Sequence, residues 1–185
     1  MDWIDNVSVI KLMNIPLKEG DSFLKKEMYR YVFPGKPKVT TIIELEHYEV
    51  NVIVLSFYRD GVGTDKTRYR IRQNYPPIVV LRIFQACLKI FININKDNNY
   101  TLVFNAADDQ NSYIPYNKRM SAYHSFLEKY YPNYTEECNF YGYMSLNTFY
   151  FHHSSNPHHE TSKKFFTWYC EKVKDQLNSS HEESK

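Results

Sequence analysis

The stretch "KVTTIIELEHYEVNVIVLSFYRDGVGTDKTRYRIRQ", residues 38–73, decides the fold. It is rich in Val, Ile, Thr and aromatic residues, the side chains that suit a pleated, half-buried surface. It is too long for one strand, because strands run to about 10 residues at most. Two breaks divide it. One falls at residues 47–51. The other is "RDGVGTD", residues 59–65, where Asp60-Gly61 and Gly63 supply positive φ at little cost. The pattern predicts three antiparallel strands, near 39–46, 51–58 and 66–73.

The next stretch, "NYPPIVVLRIFQACLKIF", reads as a helix from Ile78 to about Asn93. Pro77 suits a first turn, where a missing N–H costs nothing. Arg82, Gln85 and Lys89 form its single polar stripe, so the helix is expected to be packed around most of its circumference. "YTLVFNA" reads as a strand at 100–106. "YNKRMSAYHSFLEKYY" reads as a second helix, burying Met120, Tyr123, Phe126, Leu127 and Tyr130 until Pro132 stops it.

Upstream, "NVSVIKLM" favours a strand. In "GDSFLKKEMYRYVFPG", Asp21 or Ser22 can cap a helix with Leu24, Met28, Tyr31 and Val32 on one face, ended by Pro34-Gly35. Downstream, "NFYGYMSLNTFYFHH" reads as a last strand bent near Gly142 or Asn147. A polar linker, 154–160, leads to an amphipathic helix at 161–178 with Phe166, Tyr169, Cys170, Val173 and Leu177 on one face. Residues 179–185 are expected to be disordered. The prediction is an α+β domain over 1–153, with a single mixed or antiparallel sheet and flanking helices, plus the C-terminal helix.

Composition narrows the function. Hydrophobic residues make up 43% of the 185, enough for a substantial core, and the formal net charge of +2 gives no general basis for binding nucleic acid. Cys87, Cys138 and Cys170 are odd in number and lack CxxC spacing, which argues against a disulfide framework or a zinc knuckle. The N-terminal residues lack the pattern of a signal peptide, and no uninterrupted apolar run reaches the ~18 residues of a membrane span. The expectation is a cytoplasmic protein with no membrane partner. The sequons at Asn6, Asn99, Asn133 and Asn178 are then chance matches in an Asn-rich chain.

The order read from the sequence, β-α-β-β-β-α-β-α-β plus a helix, resembles the GNAT acyltransferase fold over residues 5–151. The resemblance implies a turn that cradles the pyrophosphate of acyl-CoA, with the pattern Q/R-x-x-G-x-G/A, and a splay between strands 66–73 and 100–106 that forms the cofactor cleft. Here the turn reads "RQNYPPIV". Arg72 or Gln73 can take the first position, both glycines are missing, and Pro76 and Pro77 each remove an N–H donor. "NKRMSAY" is similar to the family's Asn-led helix, which makes Asn117 a ligand-binding candidate and Tyr123 a candidate general acid, with Glu44 or Glu46 as base. "FNAADD…NKRMSAY" also resembles a group of small bacterial proteins of undefined activity.

Alternation sets Arg68, Arg70 and Arg72 on one face of the expected strand, about 6.5–7 Å apart, a spacing that suits successive phosphates. A solvated sheet face, with Glu44 and Glu46 as partners across the sheet, is the plainer reading. Lys118 and Arg119 stand in the first turn of a helix, where cations oppose the macrodipole unless an anion or Asp108 and Asp109 offset them. His152, His153, His158 and His159 match no zinc signature, so no metal is expected. Tyr141, Tyr143, Phe149 and Tyr150 read as core before they read as a base-stacking platform.

The leading expectation is a small intracellular binding or regulatory protein on a GNAT-like scaffold, without a cofactor. Its anionic-ligand or partner surface would combine Arg68, Arg70, Arg72, Gln73, Asn117, Lys118 and Arg119. The alternatives are an acyl-CoA-dependent N-acyltransferase and a nucleic-acid-acting toxin or defence component. A homodimer through the C-terminal helix is one way to cover its apolar face.

Overall fold

The computed structural model describes residues 6–64, 68, 75–105, 118–131, 138–143 and 148–182. Four strands come first: β1 (Val9–Ile15), β2 (Lys25–Val32), β3 (Thr40–Tyr48) and β4 (Val52–Arg59). Helix α1 (Pro77–Ile94), strand β5 (Thr101–Asn105) and helix α2 (Lys118–Tyr130) follow. Strands β6 (Cys138–Tyr143) and β7 (Thr148–His153) and helix α3 (His159–Glu182) complete the chain.

Among the described residues, 7 strands belong to one mixed sheet, in the order β1-β2-β3-β4-β5-β7-β6. Strands β1 to β4 form an antiparallel meander. β4 and β5 are parallel, joined through α1, and β5, β7 and β6 are antiparallel again. The fold is α+β, as the sequence predicts.

The sheet is covered on both faces. Ile43, Leu45, Ile53, Leu55, Leu102, Phe104 and Phe151 face α1 and α2 and form the larger core with Val79, Ile83, Phe84, Leu88 and Phe91. Tyr48, Val52, Val54, Val103 and Tyr150 line the other face, where Phe166 and Cys170 of α3 pack on them. The C-terminal helix therefore lays its apolar stripe on the chain's own sheet. α1 has the length and apolarity of a membrane span, but here it is the central core helix.

The segment expected to be a helix after Asp21 is instead strand β2. Leu24, Met28 and Tyr31 fit a helical face, but the segment is hydrogen-bonded to strands on both sides, and such tertiary pairing overrides a weak helical pattern. Asp21 closes a turn, accepting from the Lys18 N–H at 2.7 Å. The expected bent strand near Gly142 is the β6–β7 hairpin. The expected linker includes a fully buried residue, Asn156, and α3 begins earlier and runs farther than the sequence indicates, through Glu182. The expected strand at 66–73 lies outside the described residues except for Arg68, which sits in a turn with its N–H donating to the Thr64 carbonyl at 2.9 Å.

Candidate functional site

Among the described residues, β4 and β5 are in parallel register from Val52 opposite Thr101 to Leu55 opposite Phe104, and β4 runs on to Arg59 alongside β3. Four aromatic rings gather near this end of the pair. Tyr123 of α2 lies 5.0 Å from Phe84, 5.4 Å from Phe104 and 6.2 Å from Phe57, measured between ring centroids. Tyr123 is 9% exposed, so its ring is part of the core.

The connections from β4 to α1 and from β5 to α2 both leave from this carboxyl edge. They contain most of the residues singled out from the sequence. Arg70, Arg72, Gln73, Asn117, Asp108 and Asp109 lie outside the described residues. Lys118 and Arg119 occupy the first turn of α2, which contains no acidic residue.

Arg68 is the one member of the arginine run that is described, and it meets a carboxylate. Its Nη2 donates to Glu44 Oε1 at 3.1 Å, and its guanidinium lies 4.3 Å from the centroid of the Tyr58 ring. Glu44 is fully buried; Lys26 Nζ holds its other oxygen at 2.8 Å, and the Tyr58 hydroxyl donates to it at 3.1 Å. Lys26 also reaches Glu46 at 3.1 Å, and the Tyr48 hydroxyl donates to Glu46 at 3.0 Å. Two carboxylates and two cations thus share one sheet face. The charges neutralise one another, which a fully buried carboxylate requires. Glu46, with 25% of its side chain exposed, is the more accessible of the two acids.

The start of α1 has few donors to offer an anion. Four N–H groups at a helix start lack intrahelical partners. Here Pro76 and Pro77 have none, and the Val79 N–H turns back to the Pro76 carbonyl at 2.9 Å. That leaves Ile78.

A second buried carboxylate, Glu27, escaped the sequence reading. It is 3% exposed on the opposite sheet face from Glu44, where Lys11, Lys25 at 2.6 Å, the Tyr29 hydroxyl at 3.1 Å and His47 Nε2 at 3.2 Å surround it. Burial works to raise its pKa, but the bonds from Lys11, Lys25 and Tyr29 outweigh that and bring it down to about 2. Only the alternation of Glu27 with Tyr29 and Tyr31, read as a strand, would have signalled it.

The histidines do not converge. No group of three or more potential metal ligands occurs among the described residues. His152 is buried, uses Nδ1 on the His153 carbonyl at 2.8 Å and stacks on His159 at 6.0 Å. His153 bonds Ser155, and His159 meets Glu160. All three cysteines are free and buried. Burial pushes the Cys87 thiol well up and that of Cys170 to about 12, so neither is a nucleophile near neutral pH.

Compared with family models, curated proteins and solved structures, the chain matches none.

Proposed function

We propose that this chain is a small intracellular binding or regulatory protein on a GNAT-like scaffold, taking an anionic ligand at the carboxyl edge of β4 and β5. One observation carries the reading: β4 and β5 are the one parallel pair among the described strands, set in an otherwise antiparallel sheet, and the cation-bearing connections leave from its carboxyl edge. In open α/β sheets, ligands gather outside the carboxyl ends of the strands, where the connecting loops leave. The acyltransferase resemblance implies a splay between 66–73 and 100–106, and 66–73 lies outside the described residues except for Arg68.

The two connections at this edge supply the cations. Arg68, Arg70 and Arg72 belong to the first, and Lys118 and Arg119 follow the second. Arg68 is engaged by Glu44, so the ligand-binding role rests on Arg70, Arg72, Lys118 and Arg119. The donor-poor start of α1 supports a ligand other than acyl-CoA. Calorimetry with acetyl-CoA tests this, and the expected result is weak binding or none.

A second reading is an acyl-CoA-dependent N-acyltransferase with Tyr123 as acid, its ring 5.4 Å from Phe104 near the end of the parallel pair; Glu44 and Glu46 stand on the opposite sheet face from Tyr123, so the base of that reaction would be another residue. Micromolar affinity for acetyl-CoA, with turnover lost in Tyr123→Phe, selects it over the first.

A further inference from the structure

β1 is an edge of the sheet, and no described strand pairs with its outer side. Among the described residues, seven large hydrophobic side chains are exposed, and five of them, Ile10, Leu12, Met13, Leu17 and Leu24, belong to β1 and the turn that leads into β2. Scattered exposed apolar residues are normal, but such a concentration along one strand edge marks an interaction surface. The edge is also held in place. Val7, just before β1, is buried, and Lys89 of α1 donates to its carbonyl at 2.8 Å. Lys11, within β1, bonds the buried carboxylate of Glu27.

The two faces of this edge differ in chemistry. Directly opposed residues of antiparallel strands share a face. Ile10, Met13 and Ile15 oppose Arg30, Met28 and Lys26, on the face away from α1. Val9, Lys11 and Asn14 oppose Tyr31, Tyr29 and Glu27, on the face towards α1. Leu12 is the extra residue of a bulge between Lys11 and Met13. The α1 face carries surplus positive charge. Lys11 and Lys25, with side chains 46% and 47% exposed, both bond Glu27 Oε1 and meet no other carboxylate among the described residues. Two ammoniums thus share one negative charge at the strand edge.

We infer that β1 docks an extended segment of a partner protein, paired antiparallel to it, with apolar residues opposite Ile10, Met13 and Ile15 and an acidic residue opposite Lys11. The open N–H and C=O groups of the edge supply the ladder bonds, and the two faces supply the selection. A carboxylate opposite Lys11 lies beside both ammoniums and balances the charge that Glu27 alone does not. A second copy of this chain fits less well, because β1 contains no acid, and in an antiparallel pair with itself Lys11 meets no carboxylate. The bulge at Leu12 acts in the same direction, since bulges on edge strands discourage indiscriminate edge-to-edge pairing. The surface lies three strands from β4 and uses none of Arg70, Arg72, Lys118 or Arg119, so it does not rest on the function proposed above.

The test is titration of the full chain with the capped peptide Ac-SVTVEVS-NH2, followed by amide NMR shifts. Its Val-Thr-Val-Glu-Val core, run antiparallel, sets the glutamate opposite Lys11. Shifts should cluster at residues 9–15. Two N-methylated versions, one modified at the valines and one at the threonine and glutamate, should differ: only the version whose remaining N–H groups point at β1 binds, because alternate N–H groups of a strand face opposite sides. Replacing the peptide glutamate by glutamine should weaken binding about threefold, the scale of one partly exposed ion pair. Lys11→Gln should do the same, with no further loss when the two changes are combined. That variant keeps its fold, because Lys25 still holds Glu27 at 2.6 Å. Absence of shifts at residues 9–15 overturns the site, and so does equal binding by the two N-methylated peptides or equal affinity for the glutamate and glutamine peptides. A concentration-dependent dimer of the full chain in sedimentation, dispersed by Met13→Lys, overturns it too and assigns the edge to a second copy.

Discussion

Arg68 reaches from the β4–α1 connection to the middle of the sheet, where its guanidinium bonds the fully buried carboxylate of Glu44 at 3.1 Å. The contact ties the segment after β4 to strand β3. It also explains how an arginine-rich stretch coexists with a packed sheet: at this position the arginine is a structural counter-ion.

Removing the carboxylate should therefore be costly. Glu44→Ala leaves Lys26, 13% exposed at its side chain, without its nearest counter-charge, and such truncations typically cost about 3–5 kcal/mol. Arg68→Ala should cost less, because Lys26 still holds Glu44. Urea denaturation measures both, and proteolysis should show cleavage after β4 accelerated in Arg68→Ala but not in Lys118→Ala.

Acid should unfold the protein partly through Glu27. Its carboxyl titrates at about 2 in the fold against 4.5 ordinarily. A lowered folded pKa means that the stabilisation is complete above the ordinary value and is lost as pH falls through the folded one. Glu27→Gln should flatten stability across that interval and lower it near neutral pH by roughly 2 kcal/mol, the half-exposed lysines being partly screened. Chemical denaturation at a series of pH values shows whether the slope disappears.

His152 acts in a higher window. Burial lowers its pKa below the ordinary 6.5, against the opposing hydrogen bond to the His153 carbonyl. The unfolded chain then takes up a proton before the folded one does. Stability is full above 6.5 and declines below it. His47 shifts the same way, again chiefly through burial. His152→Gln should reduce the loss of stability just below 6.5 and leave the Glu27 interval unchanged, measured in the same denaturation series.

The C-terminal helix should be required for a stable sheet. Phe166 is 2% exposed and lies 4.5 Å from Tyr150 between ring centroids. Phe166→Ala should cost about 3–5 kcal/mol, as large-to-small core substitutions do. Ending the chain before His159 uncovers Tyr48, Val52, Val54, Val103 and Tyr150, and sedimentation should then show self-association that the full chain lacks.

The parts of the fold legible in the sequence were those with one strong signal. α1 combines Pro77 at its first turn with an almost unbroken apolar surface, and β3 and β4 are β-branched runs separated by a clear break. β2 was not legible, because Leu24, Met28 and Tyr31 satisfy a helical spacing while Glu27, Tyr29 and Tyr31 satisfy a strand spacing. A glutamate facing inward favours the helix until Lys11 and Lys25 are seen to neutralise it. Arg68 meets Glu44, one of the two carboxylates considered for the arginine run, but from a turn and not across a strand pair, and that turn is not legible from alternation.

The central claim is that ligand binds at the carboxyl edge of the parallel pair. Amide NMR shifts on titration with coenzyme A and with inorganic phosphate test it most directly. Binding there predicts perturbations clustered at residues 56–60, 75–79 and 118–123. Perturbations at the opposite edge, around residues 49–51 and 95–100, or none with either compound, would contradict it.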